Sequence, residues 1–161
     1  MRHRRLSILV FSGVVGLAIA GCSSDDGSAS SGSASTAPKS PCSIATVEEL
    51  TQTSGVTFTA ADVGTPDGPD GCWYKGPDDA ALQVNIYSSR AAFDARRETQ
   101  CSTSRSNDPI SGLGVEASHC GPDVLALVNA DRGFVIYCGD VEFGKCEDVA
   151  RLMEPRVTAL P

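Results

Sequence analysis

The sequence is poor in histidine and in basic side chains. It holds two His among 161 residues, and its 13 Lys and Arg are outnumbered by 20 Asp and Glu, which gives a formal net charge of −7. Because phosphate contacts require a basic surface, this charge argues against a nucleic-acid-binding protein and equally against electrostatic docking on anionic lipid. The hydrophobic share of 41% is that of an ordinary globular chain, and the length allows one domain.

The usual motifs of hydrolytic and metal sites are also absent from the sequence. It contains no G-x-S-x-G, no C-x-x-C pair and no EF-hand spacing. His119 is the only His beyond the N-terminal segment, and we interpret it as a loop residue rather than a general base. The aspartates within residues 67–79 stand beside Gly and Pro, which is typical of turns rather than of calcium sites. We therefore predict no catalytic residue, no metal site and no cofactor.

The N-terminus has the pattern of a bacterial lipoprotein signal. The basic residues 2–5 precede the uncharged segment 6–20, which falls short of the roughly 20 residues that span a bilayer as a helix. Small residues and Ile19 stand just ahead of Cys22, as a lipoprotein signal peptidase requires. We predict that residues 1–21 are removed and that the acylated Cys22 anchors the mature chain to the extracytoplasmic face of the cell membrane.

The segment after the cleavage site has the composition of a tether. Residues 22–41 are rich in Ser and contain no large apolar side chain, so burial cannot offset the entropy lost on ordering them. Residues 42–161 then supply about 120 residues, which is enough for a single hydrophobic core.

Periodicity in residues 42–161 indicates an α+β domain. Thr46 and Glu49 form a T-x-x-E capping box ahead of a first helix, and Gly55 can end it. Residues 82–87 alternate between apolar and polar side chains, as in a half-buried strand. We predict helices over 47–53, 89–100 and 146–160, a strand that begins at Cys72, and a strand over 82–87. We also predict a hairpin of strands 124–128 and 134–138 that is covered on both faces. The expected architecture is a small antiparallel sheet with packed helices, braced by disulfides.

Six cysteines remain once Cys22 is acylated, and outside the cytoplasm we expect them to form disulfides. A hairpin centred near residues 131–132 places Cys120 opposite residue 143, within reach of Cys146. The predicted bridges are Cys42–Cys72, Cys101–Cys138 and Cys120–Cys146. A zinc site is disfavoured because these cysteines are dispersed along the chain.

Several short motifs are shared with one family of lipoproteins. They are the Cys22 signal with its Ser-rich tether, Cys42 ahead of a helix containing Glu48-Glu49-Leu50-Thr51 and ending at Ser54-Gly55, Gly71-Cys72-Trp73, Cys120 before a hairpin, and Cys146-Glu147-Asp148-Val149-Ala150. In these the chain resembles the actinobacterial lipoproteins grouped as domain of unknown function 3558. The resemblance implies an envelope location and the bridges Cys42–Cys72 and Cys120–Cys146, and it supplies no catalytic residues.

Two aromatic residues, Trp73 and Tyr74, stand beside Cys72. They either line a ligand cleft or pack in the core, and core packing is the commoner role.

Taken together, the lipoprotein signal, the expected disulfides and the missing catalytic motifs favour a non-enzymatic, membrane-anchored envelope lipoprotein that binds a small ligand or an envelope protein. The alternative is a cell-wall or envelope hydrolase that uses carboxylates.

Overall fold

The structure is a computed structural model that describes residues 40–66, 68–104 and 106–160. The signal peptide, the lipidation site Cys22 and most of the tether lie outside these residues, so those assignments stay predictions. No helix in the described part of the chain is long and apolar enough to cross a membrane.

A single antiparallel sheet carries the fold, with seven strands among the described residues. They are β1 (Ala60–Thr65), β2 (Gly68–Lys75), β3 (Ala81–Tyr87), β4 (Asp108–Pro109), β5 (Glu116–Cys120), β6 (Asp123–Leu127) and β7 (Gly133–Tyr137). The strand order is β1-β2-β3-β7-β6-β5-β4, so two meanders meet where β3 pairs with β7. The predicted α+β class with an antiparallel sheet is confirmed, but the sheet is larger than predicted because β1, β4 and β5 were not foreseen; β2 was predicted, but only from Cys72 onward.

Three α-helices within the described ranges pack on this sheet: α1 (Val47–Ser54), α2 (Arg90–Ser104) and α3 (Phe143–Thr158). The predicted capping box of α1 is confirmed. The Thr46 hydroxyl accepts from the Glu49 amide at 3.2 Å, and the Glu49 carboxylate accepts from the Thr46 amide at 2.9 Å. Gly55 ends the helix at φ 75°, a left-handed conformation that suits glycine. The helix α2 runs four residues beyond its predicted end, and α3 begins three residues early.

The two faces of the sheet carry different helices. α1 and α3 cover one face, where the buried side chains include Leu50, Tyr74, Leu82, Phe134, Ile136, Val149 and Met153. α2 covers part of the other face, where Phe93 packs on Leu125, Leu127 and Val135. Every residue of β6 is buried, so the prediction that the hairpin is covered on both faces is confirmed. The principal contacts of α2 are with β3, β7, β6 and β5. On this face of the sheet, α2 therefore leaves β1 and β2 uncovered.

The prediction of disulfides is confirmed, but two of the three predicted partnerships are wrong. Cys42 is bonded to Cys72, as predicted, with a Cα–Cα distance of 4.9 Å. Instead of Cys101–Cys138 and Cys120–Cys146, the structure has Cys101–Cys120 and Cys138–Cys146, at Cα–Cα distances of 4.7 and 5.9 Å.

The error in pairing came from the unforeseen strand β5. The predicted register of the hairpin treated Cys120 as an extension of β6. In the structure the chain reverses direction between Cys120 and β6, and Cys120 lies directly opposite Asp123. Cys120 therefore belongs to β5 and faces α2, while Cys138 follows β7 on the side of α3. Each of these two bridges ties a helix to the face that it covers.

Candidate functional site

His119, the residue considered as a general base, lies in the strand β5 and not in a loop as the sequence suggested. It is 4% exposed, and its ring stacks on Phe143 with centroids 3.9 Å apart. Its Nε2 lies 3.7 Å from Oε2 of Glu147, and the other carboxylate oxygen of Glu147, Oε1, accepts from Arg151 at 2.5 Å. The surroundings of His119 thus join β5 to α3.

Asp123, the first residue of β6, carries a buried carboxyl group and is 7% exposed. Its Oδ2 accepts from the Gln100 amide at 2.6 Å, and its Oδ1 accepts from the Cys138 backbone N–H at 3.3 Å. Burial raises the pKa of Asp123, and these hydrogen bonds oppose the rise. Because both oxygens are engaged, the carboxyl group fastens α2 to the hairpin.

A polar cleft of about 470 Å³ lies between α2 and the β4–β5 edge. It is lined by Asp94, Arg97, Glu98, Cys101, Asn107 and Glu116. Arg90 and Arg97 each form ion pairs with both Asp94 and Glu116, so the charges of these two carboxylates are compensated within the protein. In the described part of the chain, no group of three or more His, Cys, Asp or Glu side chains could hold a metal ion.

The two aromatic residues beside Cys72 point to opposite faces of the sheet. Tyr74 is fully buried, and its hydroxyl donates to the carbonyl of Ala45 at 3.0 Å; burial raises its pKa to about 12. Trp73 lies on the face of α2 and is half-buried, and the ammonium of Lys75 lies 4.7 Å from the centre of its ring. Tyr74 is thus a core residue, and Trp73 is the one that a ligand could reach.

A row of polar and aromatic side chains crosses the sheet at Trp73. The strand registers place Asp62 opposite Trp73, Trp73 opposite Gln83, and Gln83 opposite Tyr137. The four residues belong to β1, β2, β3 and β7, and directly opposite residues share a face of the sheet. All four are at least partly exposed. We call this row the transverse strip.

Neighbouring cations hold both ends of the transverse strip. Lys75 donates to the Asp62 carboxylate at 2.7 Å, and Arg96 of α2 donates from Nε to the Tyr137 hydroxyl at 2.5 Å. The guanidinium of Arg96 also lies 5.3 Å from the centre of the Tyr137 ring. These contacts fix the orientations of the outer side chains and compensate the charge of Asp62.

A buried amide stands beside the strip on the same face. Asn85 follows Gln83 by two residues and is 6% exposed. Its Oδ1 accepts from the Thr65 hydroxyl at 2.8 Å, whereas its Nδ2 has no hydrogen-bond partner among the described residues. The side chain lies over Gly71, where a Cβ would come within 2.3 Å of Asn85 Oδ1. An unpaired buried N–H group typically costs about 1–3 kcal/mol, and this nitrogen has almost no accessible surface, so the cost is borne within the fold.

Sequence reasoning identified Trp73 as a candidate but missed its three partners in the strip. The alternation of apolar and polar residues in β3 could have identified Gln83, because Gln83 and Asn85 are the polar residues of that pattern and turn away from the main core. Asp62 and Tyr137 carried no local signal, since their place in the row follows from the pairing of distant strands.

The comparisons with known proteins leave the family open. No protein-family model matches the chain, and the search of the curated proteins found no match. The resemblance to domain of unknown function 3558 therefore stays a prediction.

Proposed function

We propose that the protein is a membrane-anchored envelope lipoprotein that binds a ligand through the transverse strip and has no catalytic activity of its own. The anchor is the acylated Cys22, and residues 23–41 carry the folded domain away from the membrane surface. The domain then presents the uncovered part of its sheet outside the cytoplasmic membrane.

The transverse strip is the observation that carries this proposal. It places two aromatic rings, a carboxylate and an amide in one row on one face of the sheet. Binding sites combine apolar and aromatic surface with a few well-placed polar groups, and Trp and Tyr supply both kinds of contact. In comparison, the polar cleft beside α2 is lined by Asp94, Arg97 and Glu116, whose charges pair with each other.

We favour binding over hydrolysis because Asp123, the carboxyl group whose pKa is raised by burial, is inaccessible and hydrogen-bonded. A general acid must reach the leaving group of its substrate. Asp123 is 7% exposed, and both of its oxygens accept hydrogen bonds from Gln100 and Cys138. This supports a structural role for Asp123 rather than the carboxylate chemistry of an envelope hydrolase.

The test is site-specific crosslinking in intact envelopes of cells that make the full chain. A photoreactive benzoylphenylalanine replaces Gln83 in the strip or, as the control, Gln52, an exposed residue of α1 on the opposite face. We expect an adduct from position 83 and none from position 52. Equal adducts from both positions, or none from position 83, would refute binding at the strip.

A further inference from the structure

The disulfide between Cys101 and Cys120 borders the polar cleft beside α2. We propose that this bridge is a thiol–disulfide exchange site, at which an external dithiol attacks Sγ of Cys101 from the cleft. The bridge opens and re-forms within the native fold, so the covalent attachment of α2 to β5 responds to the thiols around the protein. This inference is independent of ligand binding at the transverse strip.

The two sulfur atoms of this bridge differ in accessibility. Cys101 is half-buried and lines the cleft of about 470 Å³. Its Sγ lies 4.0 Å from the side-chain oxygen of Asn107, which is another residue of the cleft wall. Cys120 has no exposed surface. Because exchange requires an approach to the sulfur atom, attack takes place at Cys101, and Cys120 is the sulfur that leaves.

The other two bridges lack this route of approach. Cys138 and Cys146 have no exposed surface, and neither has Cys72. Cys42 is half-buried and packs against the main core. A cavity of about 310 Å³ lies beside it, but the neighbours Ser43 and Ile44 line that cavity and Cys42 does not. The polar cleft therefore singles out the bridge of α2 for reaction.

A hydroxyl group lies beside the sulfur atom that leaves. The Oγ of Ser118 is 3.9 Å from Sγ of Cys120, and the hydroxyl is the donor because a disulfide sulfur carries no hydrogen. Residues two apart on a strand share a face, so both side chains point towards α2. Hydrogen bonds to a charged acceptor are stronger than those to a neutral one, so this contact stabilises the thiolate that forms at Cys120.

Noncovalent contacts hold α2 in place while the bridge is open. Gln100 donates to the carboxylate of Asp123 at 2.6 Å, and Arg97 forms an ion pair with Glu116. Both contacts lie within one helical turn of Cys101, so the two cysteines, whose Cα atoms are 4.7 Å apart, stay close after reduction. The bridge can therefore re-form without refolding of the domain.

The exchange balances in electrons and protons. A thiolate of the dithiol bonds to Sγ of Cys101, the Cys101–Cys120 bond breaks, and its electron pair leaves on Cys120. The second thiol of the reagent passes its proton to Cys120 and attacks the reagent's own sulfur in the mixed disulfide. Cys101 is released as a thiolate and takes a proton from water. Two electrons and two protons have then passed to the protein, and the dithiol has become a disulfide.

The test follows the native full chain, purified in detergent, during treatment with 2-mercaptoethanol, a monothiol that stops at the mixed disulfide. Samples are quenched with acid at intervals, unfolded, alkylated and mapped by mass spectrometry. We expect the first product to carry mercaptoethanol on Cys101 and the alkyl label on Cys120. This bridge should open at least about tenfold faster than Cys138–Cys146, since access to sulfur controls the rate.

Dithiothreitol and reduced thioredoxin then serve as a small dithiol and a protein dithiol. Reduction by either one at Cys101 and Cys120, ahead of the other cysteines, supports the site, and the faster reagent identifies the source of the dithiol. Hydrogen exchange should show that the backbone amides of α2 stay protected in the reduced protein. Removal of the reagent in air should restore the Cys101–Cys120 bridge.

Ser118→Ala tests the positioning role of the hydroxyl group. It should slow the opening of this bridge about fivefold, which is the effect of losing one hydrogen bond, without changing the order in which the bridges react. Ser102→Ala is the matched control, because Ser102 is an exposed serine of α2, and it should react like the parent.

Three results would overturn the inference. They are earlier opening of Cys42–Cys72 or Cys138–Cys146, a mixed disulfide on Cys120 in place of Cys101, and loss of the hydrogen-exchange protection of α2 whenever the bridge opens. None of these results bears on crosslinking from position 83, so failure of this site and failure of the proposed function are separate outcomes.

Discussion

The ion pair between Glu49 and Arg156 gives a prediction whose size and pH dependence both follow from the structure. Arg156 of α3 donates to the two carboxylate oxygens of Glu49 at 2.7 and 2.6 Å and also to the carbonyl of Ile44 at 2.8 Å. The same carboxylate closes the capping box with Thr46. One side chain therefore caps α1 and joins it to α3.

These contacts lower the pKa of Glu49 from its usual value of 4.5 to about 2, chiefly through the hydrogen bond from Arg156 and then through the Thr46 amide. One pKa unit corresponds to about 1.4 kcal/mol, so the full shift would be worth about 3 kcal/mol. The two side chains are 38 and 37% exposed, and solvent screening reduces the effect to about 1–2 kcal/mol.

The sign of the pH dependence follows from the lowered pKa of Glu49. Its carboxylate contributes its full stabilisation above the unfolded-state pKa, near 4.5, and loses it as the pH falls towards about 2. Glu49→Gln keeps the shape and a capping oxygen but removes the charge. Its free energy of unfolding should be lower by about 1–2 kcal/mol at about pH 7, and the difference from the parent should shrink below about pH 4.5.

Urea unfolding of both proteins at several pH values measures this difference directly, because all other titrating groups are common to the pair. Glu48→Gln is the matched control, since Glu48 is the exposed neighbour in the same helical turn. It should stay within about 0.5 kcal/mol of the parent. A Glu49→Gln deficit that is absent at neutral pH, or that persists unchanged near pH 2, would refute the reasoning.

Two further predictions concern the cysteines. Non-reducing peptide mapping of the native protein should find the bridges Cys101–Cys120 and Cys138–Cys146, and a peptide joining Cys120 to Cys146 would contradict the structure. Cys22→Ala should abolish acyl labelling and move the protein out of the membrane fraction, because the anchor is then lost; unchanged partition would refute the lipoprotein assignment.

Local sequence patterns were sufficient to predict α1 and β3. The capping box and Gly55 define α1, and the alternation within residues 82–87 defines β3. Both patterns act over a few neighbouring residues, so they can be read without knowledge of the fold.

The strands that escaped prediction depend on partners far along the chain. The first part of β2, from Gly68 to Gly71, lies in a Gly-, Pro- and Asp-rich segment typical of turns, and only its pairing with β1 and β3 makes it part of the strand predicted from Cys72. β5 contains Ser, His and Glu, which lower its resemblance to a strand. Because β5 was missed, Cys120 was placed within reach of Cys146 and two disulfides were mispaired.

The topology explains why α2 leaves the β1–β2 end of the transverse strip uncovered. α2 connects β3, at the centre of the sheet, to β4 at one edge, and the strands between them are β7, β6 and β5. The connection must cross exactly those strands, and Cys101–Cys120 fastens its end to β5. No connection in the described chain needs to cross β1 and β2 on that face, because a meander joins them directly to β3. The same chain path that buries Phe93 therefore leaves Trp73 accessible to a ligand, and Arg96 on α2 borders the strip where the covered half begins.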